Sequence, residues 1–371
     1  RLVLSCHDLR GTPADIAPLI AELEAAPTDL RKAVWMATEV SDALRVLDHL
    51  RRRQAPDEWI MLAAGEAGLL TRVLARKLGA AATFAALERG AESAPGQCTL
   101  AELHDIYHHG RISPATSVYG VIGWPVSHSR SPHVHNAAMR RADIDGVYVA
   151  LPVADEPHAL AQALSELIDT AWLDCRGLSV TIPHKERTLG WARERGWDIR
   201  GAARDCGAAN TVIREADGTW SVDNTDVTGA ALALRPYVSA GARALVLGAG
   251  GAARAIVAAL MGSGCRVAVS NRSADRAAEI ALQMGCDTVP WEHRGSQQPI
   301  ALPDGALRPG MVVMDVVYTP RQTRLLQDAA RVGCKTVTGV EMFLHQAAAQ
   351  FQLWHGRPAP LDIMRAALPA D

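Results

Sequence analysis

Between residues 242 and 264 the sequence ARALVLGAGGAARAIVAALMGSG runs from an apolar strand pattern, through a glycine turn, into an apolar helix pattern. In that setting Gly248-Ala-Gly250-Gly251-Ala252-Ala253 has the residue types needed to seat a pyrophosphate. Gly248 permits a tight turn, Gly250 lets the backbone approach the phosphates, and Ala253 allows the helix to pack closely on its strand. The helix start at Gly251 and Ala252 offers N–H groups to the anion. The next strand, RVAVS, ends in Asn271-Arg272-Ser273, with Arg276 close behind. A carboxylate there would accept the ribose hydroxyls of NAD. Two guanidinium groups instead suit the 2′-phosphate of NADP, which is the expected cofactor. Solvated arginines at a helix start are the plainer alternative.

Three further segments offer polar chemistry. Gly123-Trp-Pro125-Val-Ser-His-Ser129-Arg-Ser131-Pro132 ends a strand and sets two hydroxyls two residues apart before a helix. Hydroxyls and N–H groups in such a turn can hold a carboxylate, or the same residues can simply cap the helix. Thr181-Ile-Pro-His-Lys185 follows another strand. An amine at a strand end in a cleft is a candidate proton donor, although a lysine after a strand is commonly just solvated. Asp223-Asn-Thr225-Asp226 supplies carboxylates beside turn residues and, on its own, also reads as an Asx turn or a helix cap.

The elements that must position these groups alternate along the chain. Short apolar runs at 2–6, 33–38, 59–64 and 81–87 are separated by amphipathic helix patterns, which predicts four consecutive β/α units, half of an eight-fold barrel. HHGRISPATS (108–117) reads as a polar connector. Strand patterns then recur at 118–123, 147–153, 177–183 and 209–214, with a helix near 132–143 between the first two. The glycine-turn unit follows, and the tail from Gly339 has a helical pattern expected to cross back to the middle of the chain.

Taken in order, these segments resemble the shikimate dehydrogenase family. Gly-x-Pro-x-x-His-Ser-x-Ser-Pro stands at 123–132, Val-Thr-x-Pro-x-Lys at 180–185, Gly-Ala-x-Asn-Thr at 207–211 and Asp-Asn-Thr-Asp at 223–226. The nucleotide unit with Asn-Arg-Ser, the turn Asp315-Val-Val-Tyr318-Thr-Pro, and Gly339-Val-Glu-Met342-Phe-Leu-His-Gln346 complete a match over about 118–371. The resemblance implies that Ser129 and Ser131 bind a shikimate carboxylate. Thr181, Asn210, Asp226 and Gln346 would hold ring hydroxyls, with Tyr318 nearby, and Gly339 and Met342 would join the cofactor site. Lys185 and Asp226 would be the acid/base pair for hydride transfer between the nicotinamide and a ring carbonyl, in a cleft between a substrate domain and a cofactor domain.

The first segment resembles the later half of a type I 3-dehydroquinase barrel. Ser5-Cys-His7-Asp8 looks like the Ser-x-His-Asp turn that carries an acid/base histidine, and Gly65-Glu-x-Gly68-x-x-x-Arg72 and Ser93-Ala-Pro-Gly-Gln97 look like substrate-anchoring motifs. Trp35-Met-Ala-Thr38 stands where the family has Lys-Ile-Ala-Thr, so an indole replaces the imine-forming amine. Lys32 lies an odd number of residues earlier and is expected to face the helix layer, with Trp35 facing the barrel interior. The segment is therefore expected to be an inactive packing remnant. The resemblances imply an α/β fold: a partial (β/α) barrel segment over 1–113, a substrate-binding α/β domain over 116–230 to which helices at 339–371 return, and a Rossmann-like NADP domain over 238–338.

Composition narrows the partners. The chain has 371 residues, 49% of them hydrophobic and 21% charged, enough for two or three domains. A net charge of -2, with both signs scattered, provides no basic stripe for nucleic acid and no polybasic segment for a membrane, so small metabolites are expected. Seven widely spaced cysteines lack zinc or disulfide spacing and read as free thiols, and no metal is expected. The start, RLVLSCHD, is strand-like rather than a cleavable signal, and its first residue, Arg rather than Met, suggests that the chain continues upstream in its parent or was cut there. A cytoplasmic protein is the expectation, with its oligomeric state open. The alternatives are a dehydrogenase of broader shikimate/quinate specificity and a ligand-sensing regulator without turnover, the latter disfavoured by the presence of both Lys185 and Asp226.

Overall fold

The computed structural model describes residues 2–156, 158–291, 302 and 305–369. Arg1 and residues 370–371 of the tail lie outside them, as do 292–301 and 303–304 of the stretch read as the nucleotide domain. The chain divides into two compact units, Arg1–His184 and Lys185–Asp371. The division falls inside the stretch read as one substrate-binding domain (116–230). Among the described residues no helix is long and apolar enough to cross a membrane.

The first unit opens with β1 (Val3–Asp8), α1 (Ala17–Ala25), β2 (Leu30–Met36), α2 (Val40–Arg51), β3 (Trp59–Ala64) and α3 (Leu69–Leu74). The strands form a parallel sheet in the order β1-β2-β3. Alternation splits their side chains between two faces. Leu4, Cys6, Ala33, Trp35, Trp59 and Met61 pack with Ile16 and Ile20 beside α1 and with Val46 and Leu50 of α2. Val34, Met36, Ile60, Leu62 and Ala64 take the opposite face.

The fourth strand expected at 81–87 does not form a ladder. Ala81 N–H donates to Trp59 O at 2.8 Å and Ala86 makes an isolated bridge to Thr99, but Phe84 is 40% and Leu87 82% exposed. Four alanines in seven residues supply little of the branched surface that holds a strand in a sheet.

After α4 (Leu100–Asp105) the unit continues through β4 (Ser117–Gly123), α5 (Ser131–Arg141), β5 (Gly146–Pro152), α6 (Ala159–Asp169) and β6 (Cys175–Val180), with the parallel order β5-β4-β6. β4 and β5 are buried along almost their whole length, as parallel strands covered on both faces must be.

The connector at 108–117 is tied down. The buried Lys77 ammonium donates to Pro114 O (3.0 Å) and Thr116 O (2.7 Å), and Arg76 Nε donates to Ile112 O (2.9 Å). Gln162 on α6 donates to Ser41 Oγ on α2 at 3.0 Å. The barrel-like segment and the β4–β6 sheet are thus bonded into one unit.

The second unit runs α7 (Lys185–Glu194), β7 (Asp198–Ile199), α8 (Gly201–Cys206), β8 (Thr211–Arg214), β9 (Trp220–Asp223) and α9 (Thr225–Leu234). β9 pairs antiparallel with β8 and parallel with β7. The glycine-turn region follows as β10 (Arg243–Leu247), α10 (Gly251–Gly262), β11 (Arg266–Ser270), α11 (Ala274–Met284) and β12 (Asp287–Thr288), a parallel sheet in that strand order. β13 (Val312–Met314), α12 (Arg324–Arg331) and β14 (Lys335–Val337) add a parallel pair, and α13 (Gly339–His355) and α14 (Leu361–Ala366) end the chain.

α13 lies against α9 so closely that a Cβ on Gly229 would fall 2.7 Å from Met342 O and 2.9 Å from Gln346 Cβ. Its far end reaches β8, where Gln350 Nε2 donates to Asn210 O (3.2 Å) and Trp354 Nε1 to Val212 O (3.0 Å). The architecture is α/β throughout, with a Rossmann-like strand–turn–helix unit in the second half.

Candidate active site

Lys185 and Asp226 start two helices of the second unit. α9 is capped by Asn224, whose Oδ1 accepts from Asp226 N–H at 3.1 Å while its Nδ2 donates to Ala208 O at 2.8 Å. That cap points the first turn of α9, and Asp226 with it, at the start of α7. There Lys185 O accepts from Ala209 N–H at 2.9 Å. Lys185 Nζ meets Asp226 Oδ2 at 2.5 Å, with side-chain exposures of 16% and 9%. An ammonium held on a carboxylate, with little water around it but still some access, can donate a proton and stabilise a developing alkoxide.

Around the pair, Asn210 Oδ1 accepts from Thr225 N–H (2.8 Å), Thr225 Oγ1 (3.1 Å) and Thr211 Oγ1 (2.7 Å). Gln346 on α13 accepts from Thr225 Oγ1 at 3.5 Å and donates to Phe343 O at 3.0 Å. The structure thus brings Lys185, Asp226, Asn210 and Gln346 into one neighbourhood, with Thr225 as the bridging side chain that the sequence had offered only as a turn residue. Tyr318 packs on Phe343 with ring centroids 5.0 Å apart.

Ser129, Ser131 and Thr181 belong to the first unit. Ser129 Oγ accepts from Ser131 N–H at 3.2 Å, so the two serines form the start of α5 together. Thr181 continues β6, its N–H donating to Ile122 O at 2.8 Å, and its methyl fills the space that a side chain at Gly123 would need. Behind the serines lies a buried cluster that the sequence did not reveal. Tyr148 donates to Ser179 Oγ at 2.6 Å, shares a hydrogen bond with Ser131, and stacks on His135 at 4.5 Å. Burial raises the Tyr148 hydroxyl well above the ordinary tyrosine range, so it stays a neutral donor.

In the glycine turn, Gly248 has φ +121 and its N–H donates to Ser270 O at 2.8 Å. Gly250 is the N-cap of α10, and a Cβ on either glycine would meet nothing within 4 Å. A diphosphate fits that arrangement: open space lies in front of the turn, with the unpaired N–H groups of Gly251, Ala252 and Ala253 behind it. Asn271 Nδ2 donates to Ser273 O at 3.1 Å, steadying the turn after β11. Arg272 and Arg276 are exposed, and among the described residues neither is taken up by a protein carboxylate. Gly339 and Met342 have a packing reason for their identities. A Cβ on Gly339 would collide with the Val316 and Val317 carbonyls, and Met342 is buried in the core of the nucleotide region. Among the described residues no cluster of three His, Cys, Asp or Glu side chains is placed to hold a metal, and all seven cysteines are free thiols.

The barrel-like segment corrects one expectation directly. Trp35 is 1% exposed and packs in the helix layer among Ile16, Ile20, Val46 and Leu50. Lys32 is in register with Ser5 and Ile60, which places it on the opposite face, shared by His7, Val34 and Met36. The odd spacing holds, but the faces are exchanged: the indole fills the apolar gap over α1 and α2, and the amine goes to the polar side. Lys32 Nζ lies 4.0 Å from the centroid of Phe84, whose carbonyl accepts from the buried Arg72 at 3.1 Å. Desolvation, with Arg72 nearby, lowers the Lys32 ammonium below the usual lysine range. Ser93 Oγ and N–H both donate to Gln97 Oε1, at 3.1 and 2.8 Å. Gly65 N–H donates to Pro95 O at 2.8 Å, joining the two anchoring motifs.

A parallel strand, glycine turn and helix beside a lysine–aspartate pair define a Rossmann-like α/β protein built for dinucleotide chemistry. Family models agree: type I 3-dehydroquinase matches residues 1–114, the shikimate dehydrogenase substrate binding domain 121–212, shikimate / quinate 5-dehydrogenase 232–293, and the shikimate 5'-dehydrogenase C-terminal domain 339–368. The chain is 39% identical to the shikimate dehydrogenase (NADP(+)) of Paracoccus denitrificans, over 68% of this chain and 95% of that protein. It is 35% identical to the chloroplastic bifunctional 3-dehydroquinate dehydratase/shikimate dehydrogenase of Arabidopsis thaliana, over 98% of this chain, and spans 64% of that relative's length. The solved shikimate 5-dehydrogenase of Thermus thermophilus in complex with NADP(H) and shikimate superposes with a TM-score of 0.59 at 32% identity, covering 68% of this chain and all of that one. The chain belongs to the shikimate dehydrogenase family and carries a type I 3-dehydroquinase-like segment in front of it.

His7 gives a test of the corrected geometry. Desolvation first and the Lys32 cation second hold its imidazole below the ordinary histidine range. Replacing Lys32 by methionine removes the cation, so His7 should gain its proton at a higher pH, as read by NMR titration of the ring. An unmoved midpoint would place the two groups too far apart to interact.

Proposed function

We propose that the chain interconverts 3-dehydroshikimate and shikimate with NADP as the hydride carrier. The observation that carries this reading is the Lys185–Asp226 pair in the same unit as a glycine turn with room for a diphosphate. The turn at Gly248, Gly250, Gly251 and Ala252 would hold the pyrophosphate, Asn271, Arg272, Ser273 and Arg276 the 2′-phosphate end, and Gly339 and Met342 the neighbourhood of the nicotinamide. The bound nicotinamide supplies or accepts the hydride. Lys185 gives its proton to the oxygen that becomes a hydroxyl, and Asp226 holds the ammonium in line and lowers the cost of the charge. Ser129 and Ser131 take the substrate carboxylate, and Thr181, Asn210 and Gln346 the ring hydroxyls, with Tyr318 beside them. Oxidation of shikimate and of quinate, each with NADP and with NAD, followed by the absorbance of the reduced nicotinamide, tests the reading. No turnover with any pair would leave a ligand-binding regulator, and equal turnover of both acids a shikimate/quinate enzyme.

For the first segment, the sequence reading is a brace without dehydratase activity, resting on Trp35 in the place of the imine-forming lysine. The position of Lys32, on the face of His7 and with its ammonium destabilised, favours a second reading, in which Lys32 forms an imine with a ketone substrate. Incubation with 3-dehydroquinate followed by borohydride should then leave a reduced adduct on Lys32 in the intact chain and none in Lys32→Met. An unmodified Lys32 returns the segment to the role of a brace.

Lys185→Ala and Asp226→Ala should each lower turnover by about a hundredfold or more, the loss expected for a positioned proton-transfer group. Circular dichroism should show a retained fold, and near-normal turnover of either variant would remove that residue from the acid/base pair. Arg272→Ala should weaken NADP and barely change NAD, since a charge-assisted bond to the 2′-phosphate contributes about 1.5–3 kcal/mol. Equal losses with both coenzymes, measured as dissociation constants, would move Arg272 to the part of the cofactor they share.

A further inference from the structure

Gly251 is the first residue of α10, where the phosphate-facing turn and the catalytic lysine come together. A Cβ built on it would lie 3.1 Å from Lys185 Cδ, 3.5 Å from its Cβ and 3.7 Å from its Cγ. The same addition at Gly248 or Gly250 meets nothing within 4 Å. Two of the three glycines therefore look onto free space, while the third is filled by the stem of Lys185. The backbone of Gly251 is helical, a conformation open to any residue, so the neighbour and not the main chain excludes a side chain there. A second contact lies one turn further on. Arg254, 3% exposed, sets its Nε 3.4 Å from Oε1 of Glu186, the residue after Lys185, and its other nitrogens bond Glu279 (2.7 Å) and Gln283 (2.5 Å). α10 thus touches the chain at two adjacent residues, one of them the proton-transfer group.

We propose that Gly251 is a positioning residue for Lys185: its missing side chain leaves the channel in which the lysine stem lies on its way to Asp226, and the Arg254–Glu186 ion pair holds α7 in place beside it. This rests on the reading of Lys185 as the proton-transfer group. The helix whose start would receive the diphosphate is then also the wall that aims the amine. An added methyl must displace Lys185 Cδ by a few tenths of an ångström, and proton transfer is sensitive to shifts of that kind.

A double-mutant cycle in the full chain tests this, comparing the unmodified protein, Gly251→Ala, Lys185→Ala and the double variant. The readouts are kcat for shikimate oxidation and the NADP dissociation constant. Gly251→Ala is expected to lower kcat by about tenfold, with a smaller change in NADP binding, because the alanine keeps the main-chain N–H of the turn and its methyl points at Lys185. In the Lys185→Ala background the same change should cost less than about twofold, because the group it misplaces is already gone. A tenfold loss in both backgrounds would mean that the alanine distorts the turn as a whole and would overturn the proposal. So would weakened NADP binding with undiminished kcat, which would mean that the added methyl obstructs the diphosphate and not the lysine. Near-normal turnover of Lys185→Ala alone would instead defeat the acid/base assignment, by a separate measurement. Should Gly251→Ala fail to fold, Glu186→Gln runs the same cycle on the second contact. A loss of kcat that needs Lys185 supports the proposal, and an equal loss without it overturns it.

Discussion

Lys185 and Asp226 place opposite charges 2.5 Å apart where little water reaches them. Neither group is comfortable there alone, since a charge withdrawn from water and left without its partner costs several kcal/mol, on the order of 3–5 for a buried pair. The surrounding structure is arranged to keep the two together. Asn224, wholly buried, caps α9 and spans to Ala208, next to Ala209, whose N–H holds the main chain of Lys185 at the start of α7. Asn210 spends its oxygen on Thr225 and Thr211, fixing the same turn from below. Gly229 lets α13 approach α9 at backbone distance, which brings Gln346 to Thr225. A polar site is thus held by capping and close helix packing rather than by loops.

Much of this was legible in the chain itself. The glycine turn declares itself because strand, turn and helix patterns follow one another without interruption, and β10, α10 and β11 form where those patterns lie. Lys185 and Asp226 were individually ambiguous, one a plausible surface lysine and the other a plausible cap. Asp226 does sit in a capped first turn, and the same turn sets its carboxylate against Lys185. What sequence patterns could not supply were the contacts across elements. Tyr148 reads as an ordinary strand residue of VYVALPV until β4 and β6 bring Ser179 and α5 brings Ser131 and His135 to it. Gly229 reads as a weak helix residue until α13 packs on it.

The barrel-like segment shows a different kind of limit. Period-two alternation correctly separates Lys32 from Trp35, but it does not say which of the two faces is which. That choice is made by α1 and α2, whose apolar residues claim the indole and leave the amine to His7 and Arg72. AATFAAL failed for a related reason: an apolar run is only a strand if a neighbour pairs with it, and here pairing stops at Ala81 and Ala86.

The Lys77 strap bears on how this chain could be divided. Its ammonium, pressed by burial toward the neutral form, is satisfied by the carbonyls of Pro114 and Thr116, which lie at the border between the two resemblances. Cutting the gene directly after residue 114, where the first match ends, would leave Lys77 with the Pro114 carbonyl but without that of Thr116, which would pass to the other fragment as a bare acceptor in its first turn. The end of the first match is therefore a poor place to cut, and a fragment starting there would need its own replacement for a lysine that belongs to the preceding segment.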